Sequence, residues 1–157
     1  MAQEHDFSGK YVSIGTEDKA GTLTITLNEG DTVDEVKANA VAEGERSNWI
    51  AIGISKIPFA GTFNGNGNTI SGLYLSTEEA YQGLFGYVNG ATIKNFTLKT
   101  SYLEYTGSGN VYLGGIVGYG SGTFQSIKSE ADIVSGGSRQ GGIIGGLNGA
   151  STITDCW

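Results

Sequence analysis

The chain has 157 residues, 38% of them hydrophobic, and Gly plus Pro contribute only 28, which suits one folded domain and not a low-complexity tail. Its formal charge is −7, and no basic patch is present, which argues against a nucleic-acid partner. The charge is uneven: residues 1–45 hold ten acids and three bases, a net of −7, whereas residues 46–157 hold six of each.

The N-terminus, Met1-Ala2-Gln3-Glu4-His5-Asp6, lacks the basic and apolar regions of a secretory signal. No apolar run reaches the roughly 18 residues that a spanning helix needs, so a membrane-spanning chain is not expected. Two settings fit, a cytosolic protein or a mature piece of an exported one. The chain stops at Asp155-Cys156-Trp157, inside a repeat, where solenoids usually carry a polar cap. A fragment of a longer protein is therefore the expectation, with an open β edge that permits end-to-end self-association.

Residues 1–48 read as an acidic N-terminal cap of strand plus one helix. Tyr11-Val12-Ser13-Ile14 is strand-like, and Thr22-Leu23-Thr24-Ile25-Thr26-Leu27 alternates strictly, the pattern of a half-buried strand. The helix is expected over 33–43. Asp31 or Thr32 caps it, Asp34 and Glu35 suit its positive first turn, and Gly44 suits its C-terminal stop. Val33, Val36, Ala40 and Val41 supply its apolar stripe.

From Trp49 the pattern is β to the end, with Pro58 marking a bend. A Gly-aliphatic-aliphatic-Gly element recurs as Gly83-Leu84-Phe85-Gly86, Gly115-Ile116-Val117-Gly118 and Gly142-Ile143-Ile144-Gly145. Each copy is followed by a small polar turn and a β-branched run. Such a repeat cannot bury its apolar face alone and must stack on copies of itself. The run 60–70 reads as two short strands joined by the Asn64-Gly65-Asn66-Gly67-Asn68 turn. Aligning Ile70 with Ile93, Phe124 and Ile153 gives spacings of 23, 31 and 29 residues, the excess leaving as loops at 76–82, 102–112 and 135–140. No helical period appears after Glu45. The fold class expected is all-β: a right-handed parallel β-helix over 49–157 with apolar columns inside, preceded by the strand-helix cap.

These tetrads, with the stretch from Trp49 through Leu73, resemble the GLUG-motif repeats of bacterial surface and secreted proteins. The first tetrad matches the Gly-Leu-x-Gly core directly and the other two carry Ile for Leu. The resemblance covers about 49–157 and implies an extracellular or cell-surface location. It also implies an adhesin-like role, or a place in the non-catalytic part of an IgA-protease-like enzyme. It offers no catalytic residue to carry over.

Chemistry is sparse. His5 is the single histidine and sits in a polar terminus, so neither a Ser-His-Asp arrangement nor a His-Glu-x-x-His zinc motif can form. Glu130 and Asp132 lie two apart on a strand-like run and share a side with Lys128. A carboxylate pair is the apparatus of glycoside hydrolysis, but the adjacent lysine favours a charge-balanced, solvated face. Glu78-Glu79 reads as a solvated loop. The run 64–68 lacks the carboxylates that calcium prefers and reads as a turn. Cys156, the only cysteine, falls in line with Phe96 and Ile127 and reads as a core thiol. No catalytic residue, metal site or cofactor is called.

Tyrosine is the better lead, since seven of the eight lie between Tyr74 and Tyr119. Tyr74 and Tyr102 take outward parity if Leu73, Leu75 and Leu103 are core. Tyr87 and Tyr119 each follow the second Gly of a tetrad and should stack one rung apart. Tyr74, Tyr87, Tyr102 and Tyr119 are the candidate ligand-binding residues, facing a host glycan or protein. The competing reading is that tyrosine simply half-buries well in strands. The function expected is a non-catalytic adhesion or ligand-binding module, with a structural spacer as the rival and a polysaccharide lyase or hydrolase third.

Overall fold

The computed structural model describes residues 11–12, 24–25 and 49–157. Strands β1 (Tyr11–Val12) and β2 (Thr24–Ile25) pair antiparallel, with Tyr11 opposite Ile25. Both fall inside the strand-like runs of the sequence; the helix expected over 33–43 lies outside the described residues.

The rest is a right-handed parallel β-helix of about three turns. Its strands are β3 (Thr62–Ser71), β4 (Tyr74–Thr77), β5 (Tyr81–Gln82), β6 (Phe85–Tyr105), β7 (Tyr112–Gly114), β8 (Val117–Ser135), β9 (Arg139–Gly141), β10 (Ile144–Leu147) and β11 (Thr152–Cys156). One sheet stacks in the order β10-β8-β6-β3, with β11 also on β8 and β4 also on β6, and a second stacks β5-β7-β9. Residues 49–59 enter as an irregular partial turn, bridging Ile52 to Phe85 and Phe59 to Val88 in parallel. The Trp49 indole N–H donates to the Leu84 carbonyl at 3.0 Å and anchors that entry.

Registered pairing turns the repeat into columns. Phe63, Ile93, Phe124 and Ile153 stand in one, and Thr62, Thr92, Thr123 and Thr152 stand beside it. Phe63, Ile93 and Phe124 are 4%, 0% and 0% exposed, and each such burial is worth about 1.5–3 kcal/mol. Phe63 meets Phe85 and Phe96 edge-on, at centroid distances of 5.4 and 5.1 Å, so the aromatic part of the core continues across rungs. Cys156 continues the Phe96–Ile127 column as its spacing predicts, and it is partly buried.

This register corrects the alignment drawn from the sequence. Ile70 pairs with Leu98, and Phe63 takes the place beside Ile93, so the spacings down this column are 30, 31 and 29 residues. The first rung holds three residues between Asn64 and Asn68 where the second holds only Asn95 between Lys94 and Phe96. The Asn/Gly run is thus a bulge inside one continuous strand, not a turn between two. It is closed by its own amides: the Asn66 N–H donates to Asn64 Oδ1 at 3.0 Å and the Asn68 side chain to the Gly65 carbonyl at 2.9 Å. The next rung is tied to it where Asn95 Nδ2 donates to Asn64 Oδ1. Asn95, Ser126 and Asp155 each occupy the left-handed region, with φ of 61°, 53° and 52°, and so form one corner of successive rungs. Asn and Asp tolerate that region better than most residues.

The tetrads make another corner. A Cβ on Gly115 would lie 2.3 Å from the Gly142 carbonyl oxygen of the next rung, and one on Gly118 would lie 2.5 Å from the Gln82 nitrogen. The first glycine therefore lets rungs stack, and the second lets the chain leaving the corner press against the chain entering it. The residues between fill the core, with Leu84, Phe85, Ile116 and Val117 all at 1% exposure or less.

Candidate functional site

At the tetrad corner the outer surface carries tyrosines from both sheets. Tyr81, at the start of β5, stands in register with Tyr112 of β7 and Arg139 of β9. Tyr87 of β6 stands in register with Tyr119 of β8, and Gly146 of β10 follows. Because the second tetrad glycine brings the two sheets together, these two columns touch. Tyr112 and Tyr119 have centroids 4.3 Å apart, Tyr81 and Tyr119 are 5.4 Å apart, and Tyr81 and Tyr87 meet edge-on at 5.4 Å. Down the columns Tyr81 stacks on Tyr112 at 5.5 Å, while Tyr87 meets Tyr119 edge-on at 5.4 Å. The result is one contiguous patch of four half-buried rings.

Polar groups rim it. Asn148 Nδ2 donates to the Tyr87 hydroxyl at 3.0 Å. The Arg139 guanidinium lies over the Tyr112 ring, 4.8 Å from its centroid. The loops leading into β7 and β9 are joined where the Ser138 hydroxyl donates to Asn110 Oδ1 at 3.1 Å. Desolvation by the neighbouring rings, and then the proximity of Tyr112, Tyr87 and Tyr81, raise the Tyr119 phenol above its usual 10.0, while Arg139 acts in the opposite sense.

The sequence-based candidates divide accordingly. Tyr87 and Tyr119 lie one rung apart in this patch, as their place after the tetrad predicts. Tyr74 and Tyr102 do not join it. They are 8% and 7% exposed and stack on each other at 5.9 Å, so the outward placement assigned to them is corrected. Leu73, Tyr74 and Leu75 are buried in succession, so neither face of this segment meets solvent and the alternation argument fails there. Tyr81, Tyr112, Arg139 and Asn148 were missed as site residues. A usable signal existed: Tyr81-Gln82-Gly83, Tyr112-Leu113-Gly114 and Arg139-Gln140-Gly141 repeat the same step into the corner.

Elsewhere the surface offers less. Lys128 pairs with Glu130 on β8, and that hydrogen bond and charge hold the Glu130 carboxyl below its usual range, with a smaller effect from Lys99. A general acid needs the opposite shift. Glu78 and Glu79 are exposed, and the Glu79 N–H donates to the Thr77 hydroxyl. A shallow groove of about 350 Å³ runs past Asn66, Asn95, Ser126, Lys128 and Trp157. Among the described residues no three His, Cys, Asp or Glu side chains converge as a metal site would require. Among them also, no helix is long and apolar enough to cross a membrane. His5 lies outside the described residues.

No family model and no solved structure matches the chain, so the likeness to GLUG repeats rests on the tetrads themselves. Over 89 residues the chain is 37% identical to halomucin of Haloquadratum walsbyi. That match takes in 55% of this chain and 1% of halomucin's length.

Proposed function

We propose that this chain is a non-catalytic binding module of an extracellular or cell-surface protein, and that the four-tyrosine patch is its ligand face. One observation carries the reading: Tyr81, Tyr87, Tyr112 and Tyr119 come from two sheets and two rungs, yet form a single contiguous aromatic surface on the outside of the solenoid. A ring gives apolar area and its hydroxyl gives a polar tip, a combination suited to the amphipathic faces of sugar rings. The rigid columns beneath hold the rings in place, so little conformational entropy is lost on binding. A glycan is favoured over a protein because the patch is small and bordered by polar turns, whereas stable protein interfaces bury about 800 Å² per partner. The extracellular setting rests on the resemblance of the tetrads and on the short stretch shared with halomucin.

Binding of the purified chain to a broad glycan array tests this. Saturable binding that Tyr119→Ala and Tyr87→Ala abolish, with the β-sheet circular dichroism retained, is the expected result. A folded chain that binds no glycan would sink the reading and leave a structural spacer.

A further inference from the structure

The two tyrosine columns end differently, and that difference bears on which sugar the patch takes. Two successive rungs place Tyr at both positions, 81 with 87 and 112 with 119. The third rung places Arg139 and Gly146 there instead. Gly146 leaves space that the rings use: a Cβ on it would lie 2.5 Å from Tyr112 Cδ1 and 3.1 Å from Tyr119 Cδ2. The rings of Tyr112 and Tyr119 therefore lean over the next rung, beside an arginine whose guanidinium carbon stands over the Tyr112 ring, 4.8 Å from its centroid.

Arg139 is the one arginine among the described residues. It is exposed, and it forms no ion pair there; the ion pair found is Lys128 with Glu130, on β8. A guanidinium held against an aromatic ring keeps its outer N–H groups free and in a fixed plane, which matches a carboxylate in two-pronged fashion. Aromatic area and a guanidinium with no ion-pair partner among the described residues thus stand side by side on one surface.

We infer that the patch selects sugars bearing a carboxylate, the pyranose lying on Tyr112 and Tyr119 and the acid group meeting Arg139. This rests on the tyrosine patch being the ligand face. The shared chemistry is the ring carboxylate, which uronic acids and sialic acids both supply.

The test compares matched probes by calorimetry at low and physiological salt. Oligogalacturonide is set against its methyl ester, and sialyllactose against lactose, on the full chain and on Arg139→Gln, Arg139→Lys, Gly146→Ala and Tyr119→Ala. The acid form of at least one pair should bind about tenfold or more tightly than its neutral form, the effect of one charge-assisted contact. Whichever pair shows it identifies the source of the acid. Arg139→Gln should remove the preference, bringing acid and neutral forms to the same affinity; Arg139→Lys should keep only part of it. Gly146→Ala, which displaces the Tyr112 ring on which the sugar would lie, should weaken binding of both forms. Equal binding of acid and neutral forms, still lost in Tyr119→Ala, would overturn the acid specificity and leave the ligand face standing. A preference that survives in Arg139→Gln would also overturn it. Absence of binding to all four probes, with the glycan array also blank, would remove both.

Discussion

Gly115 and Gly142 hold the same place in successive tetrads, so they separate two explanations for the repeat's glycines. If the corner demanded glycine for its backbone, alanine would harm both sites alike. Neither residue has a positive φ, however, and their surroundings differ. A Cβ at Gly115 would sit 2.3 Å from the Gly142 carbonyl oxygen and 2.6 Å from Ser129 Oγ, whereas a Cβ at Gly142 meets nothing within 4 Å. Relieving the first contact means moving the next rung by nearly 1 Å, about the shortfall from ordinary contact. That rung is held there by short bonds, Ile116 N–H to the Ile143 carbonyl at 3.0 Å and Val117 N–H to the same oxygen at 2.9 Å. Overpacking against backbone of this kind costs about 3 kcal/mol. Gly142→Ala should be neutral or slightly stabilising, by about 0.5 kcal/mol, because it restricts only the unfolded chain. Urea unfolding followed by far-UV circular dichroism reads both. Equal losses at the two sites would refute the packing account of the tetrad.

Ser129 Oγ is buried without a hydrogen-bond partner, so Ser129→Ala should be neutral to stabilising by about 1 kcal/mol in the same denaturation assay; combined with Gly115→Ala it should relieve part of that damage, a coupling that a double-mutant cycle measures. Ser126 sits at φ 53° in the corner that Asn95 also occupies, and Ser126→Asn should raise stability by a few tenths to about 1 kcal/mol, read as the urea midpoint. The Tyr119 phenol is raised above 10.0, so the folded state holds that proton more tightly. Its contribution to stability is complete below the ordinary phenol range and is lost as pH climbs through the raised value; a phenolate absorbance titration should show one late-titrating tyrosine that Tyr119→Phe deletes. Glu130→Gln, by contrast, removes only an exposed ion pair and should leave the urea midpoint unchanged.

The parts of this structure legible in the sequence are those that recur. The tetrads named their corner because their glycines answer to backbone of a neighbouring segment: the second glycine at all three rungs, and the first at Gly83 and Gly115, where a further rung stacks on it. The apolar columns followed from strand parity wherever one face of the strand meets solvent. The bulge at 64–68 was misread because it occurs once, in the first rung, and shifts everything after it. The threonine before each core residue, at 62, 92, 123 and 152, marks the true register. Tyr81 and Tyr112 were hidden for another reason: they lie on the far side of the corner from Tyr87 and Tyr119, and strand parity does not carry across a corner.

That last failure also says where function should be sought in such a chain. Columns inside the solenoid must repeat, since each rung is the surface on which the next one packs. Columns outside are under no such constraint, so a break in an outer column is not forced by the fold. Arg139 and Gly146 are such a pair of breaks, side by side, at the end of two tyrosine columns. Restoring the repeat with Arg139→Tyr should leave stability nearly unchanged, because the site is exposed and a third ring can stack on Tyr112. The same change should erase any preference for acidic sugars. If the substitution instead unfolded the chain, Arg139 would be part of the scaffold and its departure from the pattern would carry no information about a ligand.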